Sequence, residues 1–312
     1  MRLTNLDVTL RDGGYRNTFN FPRQYALDHA ALAVEAGFDW VEIAYRNGSF
    51  NPNTSNGLTG RGDDDYIEDV TARIGADHVA LIAHPHNVDA EDLESAYAAG
   101  ARLIRLCVNA NDPSLTWNLI SHARSLGFVC AANLTRVSNL TPRTIAELSG
   151  AAAAAGANAL YLADSNGAMQ PADVTRMVTV AGDFSGLQIG FHAHNNIGLA
   201  LANAIAAVSA GASWIDSSVL GMGKGAGNLI AEQWISYLDS CAPESSGFEL
   251  AALLDLSALL SDTVPESAPV VPATDLLLGR YNLSIEHKSK VHGLDSQARV
   301  RAARDLEQAL SA

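Results

Sequence analysis

The feature that most constrains the fold is a repeating unit: a short apolar segment, a polar or glycine-bearing turn, and an alanine-rich stretch with helical spacing. The apolar segments begin at intervals of about 24 to 39 residues, which is the size of a βα unit. The eight predicted strands are Leu6–Leu10, Trp40–Ala44, Val79–Ala83, Leu103–Val108, Val129–Asn133, Ala159–Ala163, Gln188–Phe191 and Trp214–Val219. Glycines that can stop a helix in the left-handed conformation precede several of the next strands. They are Gly37, Gly100, Gly127, Gly156 and Gly211.

Eight such units in a row predict an α/β fold, a closed (β/α)8 TIM barrel formed by residues 1–241. An open, doubly wound sheet is the structural alternative, because periodicity alone does not exclude it. The absence of a glycine-rich dinucleotide fingerprint after the first strand and the number of units favour the barrel. The pattern then changes, and residues 242–312 are predicted to form a small C-terminal helical appendage. Its predicted helical pieces are Phe248–Ser261, Gly279–Gly293 and Ser296–Leu310.

Charge and composition narrow the partners and the compartment. The 312 residues include 20 Lys and Arg against 34 Asp and Glu, for a net charge of −14, which argues against nucleic acid or an anionic membrane as a partner. No apolar run reaches the roughly 18–20 residues of a membrane span, and the first ten residues lack a signal-peptide pattern. Cys107, Cys130 and Cys241 are widely separated and are interpreted as free thiols in a reducing compartment. We therefore expect a cytoplasmic protein.

Polar residues collect where the predicted strands end, which in a closed barrel is where the chemistry lies. His192 and His194 are two positions apart on the seventh strand, so both side chains leave the same face. Closure places the first, seventh and eighth strands side by side, so Asp12 is expected near both histidines. Asn228, after the eighth strand, could add an oxygen ligand. Two imidazoles, one carboxylate and open positions are typical of a catalytic divalent-metal site.

The alternative interpretation of a His-x-His pair is structural, because paired histidines often only satisfy hydrogen bonds at a strand end. A second pair, His84 and His86, follows the third strand and shows how readily the spacing arises. The carboxylate of Asp12 on the neighbouring strand distinguishes the first pair from the second.

Four segments together resemble the DRE-TIM metallolyases, the HMGL-like superfamily of metal-dependent pyruvate aldolases and acyl-CoA lyases or synthases. These segments are Thr9-Leu10-Arg11-Asp12-Gly13, Asp164-Ser165, Phe191-His192-Ala193-His194-Asn195-Asn196 and Gly225-Ala226-Gly227-Asn228. The sequence is most similar to the 4-hydroxy-2-oxovalerate aldolase branch. Lys224 and Gly225 stand where the Claisen-condensing branch usually has Glu-Arg before Ala-Gly-Asn.

The resemblance implies a divalent ion, Mn²⁺ or Mg²⁺, held by Asp12, His192 and His194 with Asn228 as a further ligand. It also implies that Arg11 stabilises the oxygen of an enolate. The expected reaction makes or breaks the carbon–carbon bond of a 4-hydroxy-2-oxo acid, with a small 2-oxo acid and an aldehyde as partners. Metal and arginine would place fixed positive charge where negative charge develops.

Three residues are candidates for moving the hydroxyl proton: Tyr15, then His84, then Tyr281. Tyr15 occupies the position at which the aldolases carry a catalytic His, and a phenol with a reference pKa of about 10 needs strong perturbation to act as a base. Tyr281 is the counterpart considered for a C-terminal tyrosine of those aldolases. The C-terminal region is shorter than in aldolases that pass an aldehyde to a partner dehydrogenase, so such a partner stays open.

Five further residues are predicted to contact the aldehyde or to support the site. Tyr45, Arg46 and Arg61 belong to the long loop after the second strand and are the predicted aldehyde contacts. Glu42 lies inside an apolar strand and needs a buried partner, either Arg11 or another cation. Asp164 is predicted to orient Arg11 or to hold the sixth strand in place.

Two other functions stay open at this point. One is an acyl-CoA-dependent condensing synthase or lyase on the same barrel, which would release CoA. The other is a non-catalytic barrel that binds metal or ligand without turnover, because the catalytic His is replaced by Tyr15. A homo-oligomer is the general expectation for such an enzyme.

Overall fold

The computed structural model describes residues 3–50, 56–241, 247–270 and 272–311. Within these ranges, eight parallel strands pair in chain order and the first pairs with the eighth, which closes the sheet. The predicted TIM barrel is therefore confirmed, and the open sheet is excluded. The strands are β1 (Thr4–Asp7), β2 (Trp40–Tyr45), β3 (Val79–Ala83), β4 (Leu103–Val108), β5 (Val129–Leu134), β6 (Ala159–Asp164), β7 (Gln188–Ala193) and β8 (Trp214–Ser217).

Helices follow the strands along the chain and pack around the barrel. They are α1 (Thr9–Asp12), α2 (Arg23–Glu35), α3 (Leu58–Arg61), α4 (Asp64–Ile74), α5 (Ala90–Ala98), α6 (Ser114–Leu126), α7 (Pro142–Ala154), α8 (Pro171–Ser185), α9 (Ala200–Ser209), α10 (Ala231–Cys241), α11 (Leu250–Thr263), α12 (Ala273–Arg280), α13 (Lys288–Val291) and α14 (Ser296–Ser311). Among the residues described, none of these helices combines the length and the apolar character that crossing a bilayer requires.

The glycines predicted to end helices all adopt positive φ, as expected. Gly100 has φ of +117°, and a Cβ at this position would lie 2.3 Å from the side-chain oxygen of Thr71. Backbone conformation and packing therefore both require glycine at the end of α5.

The first strand departs from its predicted bounds of Leu6–Leu10. It ends at Asp7, because the Asp7 carboxylate accepts hydrogen bonds from the backbone N–H, at 3.2 Å, and the hydroxyl of Thr9. These bonds turn the chain into the helical segment α1, so Arg11 and Asp12 stand on a helical turn and not on a strand. Neighbouring side chains on a strand point to opposite faces of the sheet, whereas neighbouring side chains on a helical turn can point into the same space. Arg11 and Asp12 therefore both line a cavity at the carboxyl ends of the strands.

The barrel interior has an apolar layer and a charged layer. Apolar side chains that include Leu6, Leu103 and Trp214 form the interior cluster, whereas a larger cluster fills the space between sheet and helices. The buried charged side chains Glu42 and Arg105 come from β2 and β4 and lie inside the same barrel. This layering leaves the polar functional residues together at one end of the strands.

The C-terminal residues form two differently packed parts. The helix α11 lies on α2, and its side chains Leu253, Leu256 and Leu260 join the main apolar core of the barrel. The helices α12 to α14 pack on one another around a separate small cluster. The predicted helical piece Gly279–Gly293 is wrong in its bounds, because its first half is an irregular segment between α12 and α13. The division into 1–241 and 242–312 stays a prediction.

Candidate active site

The structure brings Asp12, His192 and His194 together at the carboxyl ends of the strands. All three side chains are buried, and one ligand atom from each lies within 4.8 Å of the others. Asp12 is the last residue of α1, His192 lies on β7, and His194 follows that strand directly. The two-residue spacing of the histidines therefore places both rings on the face that meets Asp12.

The ring orientation of His192 suits a metal ligand. Its Nδ1 donates to an oxygen of Asp216 at 2.9 Å, which leaves the lone pair of Nε2 facing His194. The two Nε2 atoms are 3.3 Å apart. Neighbouring ligand atoms around one ion, each at about 2.1 Å and at right angles, are about 3 Å apart. The imidazoles are therefore spaced as two ligands of a single ion would be.

The electrostatics keep the ligands in the forms that bind cations. Burial lowers the pKa of His194 to about 4, so its ring is neutral at neutral pH. Burial by itself raises the pKa of Asp12, but the guanidinium of Arg11 is the main charge that opposes it, and the pKa lies well below its usual range. A carboxylate and the neutral imidazole of His194 are thus available together.

Asn228 completes the donor set. It forms an isolated β-bridge with His194, and its amide contributes to the lowered pKa of Asp12. Its Oδ1 is buried and accepts no hydrogen bond from the described residues. A buried acceptor without a donor is costly unless something else pairs with it. Together with the imidazoles and the carboxylate, this amide oxygen fits a divalent metal ion.

An inner charge network joins Asp12 to His192 beneath the cluster; it consists of Arg11, Glu42, Arg105 and Asp216. Arg11 donates from Nη1 to Asp12 and from Nε to Glu42. Arg105 donates to both oxygens of Glu42 at 2.6 and 2.7 Å and to Asp216 at 2.7 Å. Each charge in this network is therefore paired. The sequence left open whether Glu42 contacts Arg11 or another cation, and in the structure it contacts both Arg11 and Arg105.

Sequence reasoning missed Arg105 and Asp216. Both lie inside short apolar strands, LIRLCV and WIDS, in the same way that Glu42 lies inside WVEIAY. A charge inside an apolar strand needs a buried partner, so Arg105 and Asp216 are recognisable from the sequence in the same way as Glu42.

One side of the cavity above the cluster is aromatic. Tyr15, Tyr45, Phe50 and His84 line it, and the hydroxyls of Tyr15 and Tyr45 are 3.1 Å apart. Burial raises the pKa of Tyr15 well above its ordinary value, so this phenol is protonated at neutral pH. Burial lowers the pKa of His84 to about 3, so its ring is neutral. The predicted proton-transfer residues Tyr15 and His84 both reach the cavity.

The other side of the cavity is polar and comes from residues that were not among the candidate site residues. Its lining side chains lie on or after β5, follow β6, or belong to the C-terminal residues. They are Asn133, Thr135, Arg136, Ser165, Asn166, Ser284 and Ile285. Lys224 also lines the cavity, although the sequence marked it only as a difference from the Claisen-condensing branch. The C-terminal part therefore contributes to the site, although its composition gave no sign of this.

Two predicted aldehyde contacts do not line this cavity. Arg46 donates to the carbonyl of Gly62 at 2.7 Å and pairs with Asp64 at 2.6 Å. Arg61 donates to Asp63 at 2.9 Å and to a backbone carbonyl at 2.6 Å. Both arginines hold the chain between β2 and α4, whereas Tyr45 does line the cavity. Residues 51–55 of the predicted loop lie outside the described residues.

Tyr281 does not line this cavity, and the contacts of Asp164 are compatible with the second of its two predicted roles, holding the sixth strand in place. Tyr281 packs in the small C-terminal cluster and lines a neighbouring cavity. Asp164 accepts the backbone N–H groups of Ala168 at 3.1 Å and Met169 at 3.0 Å, which fixes the loop after β6. In the described part of the chain, Asp164 makes no hydrogen bond or ion pair with Arg11.

Comparison with known proteins identifies what this arrangement resembles. The sequence profile of the HMGL-like family matches residues 2–260. A 4-hydroxy-2-oxovalerate aldolase from Carboxydothermus hydrogenoformans is 30% identical over 252 residues, covering 81% of this chain and 75% of that protein. A 4-hydroxy-2-oxovalerate aldolase from Chloroflexus aurantiacus is 30% identical over 273 residues, covering 87% of this chain and 76% of that protein.

A solved structure supports the fold. The N-terminal domain of a protein from Bacteroides vulgatus superposes with a TM-score of 0.84 at 23% identity, covering 96% of this chain and all of that chain. At this identity the likeness concerns the fold alone.

Proposed function

The chain belongs to the HMGL-like family, and on that premise we propose that it is a divalent-metal-dependent aldolase, a carbon–carbon lyase acting on 4-hydroxy-2-oxo acids. The observation that carries the proposal is the convergence of Asp12, His192 and His194 at the catalytic end of the barrel. The relatives that are 4-hydroxy-2-oxovalerate aldolases support the reaction class.

The proposed reaction cleaves the bond between C3 and C4 of the substrate. The 4-hydroxyl loses its proton and becomes the carbonyl oxygen of the released aldehyde. The electron pair of the broken bond passes to the pyruvate fragment as an enolate, which takes a proton at C3 to give pyruvate. Addition of pyruvate to an aldehyde is the same sequence reversed. When bound, a divalent ion, Mn²⁺ or Mg²⁺, supplies positive charge that stabilises the oxygen of the 2-oxo group.

Arg11 is proposed to stabilise the same oxygen from the protein side. Its Nε and Nη1 donate to Glu42 and Asp12, which fixes the guanidinium plane. Arg11 lines the cavity, and within the described ranges its Nη2 has no acceptor, so this group is proposed to donate to the substrate. A donor that is already oriented costs little reorganisation when negative charge develops. Glu42 and Arg105 act as positioning residues for Arg11 in this proposal.

Tyr15 and His84 are proposed to handle the protons. The phenol of Tyr15 is protonated at neutral pH and suits the donor that delivers a proton to C3. The ring of His84 lines the cavity and is neutral, and it can accept the hydroxyl proton once negative charge on a bound substrate offsets the burial that lowers its pKa. Tyr281 is not assigned a proton, because it does not line this cavity.

We also propose the substrates, the compartment and the oligomeric state of the enzyme. Its substrates are a small 2-oxo acid and an aldehyde, and we place it in the cytoplasm as a homo-oligomer. No contact among the described residues argues for a partner aldehyde dehydrogenase, and the proposal does not include one.

Deuterium exchange into pyruvate tests the proposal. With Mn²⁺ in D₂O, the methyl proton signal of pyruvate should decay, and the enzyme should release pyruvate from 4-hydroxy-2-oxovalerate. A chelator and His194→Ala should both abolish the exchange. His122→Ala, which removes a surface imidazole 3.3 Å from Glu94, is the matched control and should retain it. Exchange that persists in His194→Ala would refute the proposed role of the cluster.

A further inference from the structure

The cavity contains two cationic side chains that the proposed chemistry does not use, Lys224 and Arg136. We propose that Lys224, assisted by Arg136, binds an anionic group on the aldehyde, so that the natural aldehyde carries a carboxylate or a phosphate. This inference rests on the proposed function, because it names the class of the second substrate at the same site.

Lys224 is a half-buried cation without a counterion among the described residues. It lies in the loop after β8, and its Nζ is 4.3 Å from the ring centre of Phe50 and 5.0 Å from that of Tyr15. Within the described ranges, no carboxylate lies within ion-pair distance of Nζ, and no oxygen accepts a hydrogen bond from it. The aromatic rings of Tyr15 and Phe50 attract the ammonium group more weakly than an anion in a direct ion pair would. An ammonium withdrawn from water is stabilised most by an anion in the cavity it lines.

The position of Lys224 is fixed by its backbone. Its N–H donates to the Asp12 carboxylate at 3.2 Å, which ties the loop to the metal-ligand cluster. The side chain then extends along Tyr15 and Phe50. The ring of Phe50 lies 4.8 Å, centre to centre, from that of His84, the residue proposed to accept the hydroxyl proton on the aldehyde half of the substrate. The ammonium is therefore held by packing and is available to a ligand without rearrangement of the backbone.

Arg136 lines the same cavity from the loop after β5. Its φ of +56° is left-handed, which is uncommon for a residue with a long side chain and is costly unless the surroundings hold it. The backbone N–H of Arg136 donates to the hydroxyl of Ser165 at 3.0 Å, which holds this conformation. Its Nη2 pairs with Glu286, and in the described part of the chain Nε and Nη1 have no acceptor and stay available to a ligand.

The two cations act on the same space. Burial is the main cause that lowers the pKa of Lys224 to about 8; the charge of Arg136 acts in the same direction, while Asp12 and Glu286 oppose it. Ser165, whose oxygen accepts from Arg136, keeps its own O–H to donate into the cavity. Two cations and a hydroxyl form a donor set that suits the oxygens of a carboxylate or phosphate.

Paired aldehydes test the inference in the Mn²⁺-loaded enzyme. One pair is succinic semialdehyde and butyraldehyde, and the other is glyceraldehyde 3-phosphate and glyceraldehyde, each added to pyruvate. The anionic member of at least one pair should have a kcat/KM about tenfold or more above its neutral partner, and the pair that shows this identifies the group. Lys224→Met should lower kcat/KM for that anionic aldehyde by about 10- to 100-fold, the usual effect of losing a charge-assisted hydrogen bond.

Two further variants separate charge from structure. Lys224→Arg keeps the positive charge and should recover most of the preference. Lys290→Met removes an exposed lysine outside the cavity and should leave the preference intact. Equal use of anionic and neutral aldehydes by the wild type, or an equal loss for both in Lys224→Met, would overturn the inference.

The alternative target of Lys224 is the carboxylate of pyruvate itself. In that case Lys224→Met would raise the KM for pyruvate in methyl exchange as much as the KM for the anionic aldehyde, and this result would also overturn the inference. If the wild type exchanges no pyruvate protons with Mn²⁺, the proposed function fails. If exchange occurs without an anion preference, only the present inference fails.

Inhibition of methyl exchange provides a readout that needs no aldol step. The wild type should bind 2-oxoadipate more tightly than 2-oxohexanoate, a chain of equal length without the distal carboxylate. Lys224→Met should remove most of this difference. Equal inhibition by both acids in the wild type, in a protein that also shows no preference for the phosphate-bearing aldehyde, would contradict an anion subsite.

Discussion

At the scale of single residues, the inner charge network explains how charged side chains persist inside the barrel. Arg105 is fully buried, and both of its ion-pair partners, Glu42 and Asp216, are buried carboxylates. A buried charge is tolerated when it is paired and hydrogen-bonded, and removal of one partner leaves the other uncompensated. The network also orients Arg11 and His192, so the same contacts that stabilise these charges set the geometry of the site.

Asp216→Asn tests this double role. The substitution removes the charge that pairs with Arg105 and weakens the acceptor of the His192 Nδ1–H. We expect Mn²⁺ affinity to fall by about 10- to 100-fold, the usual effect of losing such a supporting partner. We also expect the free energy of unfolding to fall by about 3 to 5 kcal/mol.

Titration calorimetry and urea unfolding measure both effects. Asp183→Asn, at an exposed site on α8, is the matched control and should change neither. An Mn²⁺ affinity within twofold of wild type in Asp216→Asn would show that the network does not position the ligands.

The cysteines give a second prediction at this scale. Burial raises the pKa of Cys107 to about 11 and of Cys130 to about 12, whereas Cys241 is exposed. The thiolate is the form of cysteine that reacts. Because the pKa of both buried thiols is raised, very little of either is thiolate at pH 8, and the thiolate fraction grows only as the pH approaches the pKa. Ellman's reagent should therefore modify one thiol quickly in the folded protein and all three in urea. Cys241→Ser should remove the fast phase, and a second fast thiol would contradict the burial.

At the scale of elements, the regular parts of the barrel could be predicted and the ends of strands could not. Apolar periodicity and helix-ending glycines depend on the local backbone conformation, which the local sequence determines. The strands β3 and β4 therefore have the bounds that were predicted for them. The end of β1 depends on side-chain hydrogen bonds from Thr9 to Asp7, which apolar periodicity does not reveal.

The candidate site was partly predictable for the same reason. The spacing of His192 and His194 and the closure of the barrel place Asp12 near them, and both follow from local sequence and topology. Arg136 follows β5 closely, so the same rule of strand ends could have found it, whereas Ser284 reaches the cavity only through the packing of the C-terminal residues, which no local pattern encodes.

Gly100→Ala tests the packing of one such element. At Gly100 the positive φ and the side chain of Thr71, 2.3 Å from the place that a Cβ would occupy, both oppose alanine. We expect a loss of about 1 to 3 kcal/mol in the free energy of unfolding. Gly211→Ala is the control, because Gly211 has a similar φ of +108° but nothing within 4 Å of a Cβ. A loss no greater than that of the control would show that the contact with Thr71 does not matter.

At the scale of the whole molecule, the C-terminal residues are tied to the barrel and complete the cavity. Asp275 is fully buried, and its carboxylate accepts from Lys288 at 3.0 and 3.1 Å. The backbone carbonyl of Asp275 accepts from Asn196, in the loop after β7, at 2.9 Å. Ser284 and Ile285 lie between Asp275 and Lys288 in the chain, and both line the cavity. The barrel and its C-terminal helices therefore build one site.

Lys288→Met should loosen this attachment, because it leaves the buried carboxylate of Asp275 without its cation. Amide hydrogen exchange across residues 272–291 should accelerate, while exchange in the barrel strands stays slow. Lys290→Met, on the same short helix but exposed, is the matched control. Equal exchange in the two variants would contradict the role of the ion pair.

Anomalous diffraction from crystals grown with Mn²⁺ locates the bound ion without reference to activity. We expect one strong peak within bonding distance of the Asp12 carboxylate and of Nε2 of both His192 and His194. A protein saturated with Mn²⁺ that shows no peak at this cluster, or shows its peak elsewhere, would contradict the account.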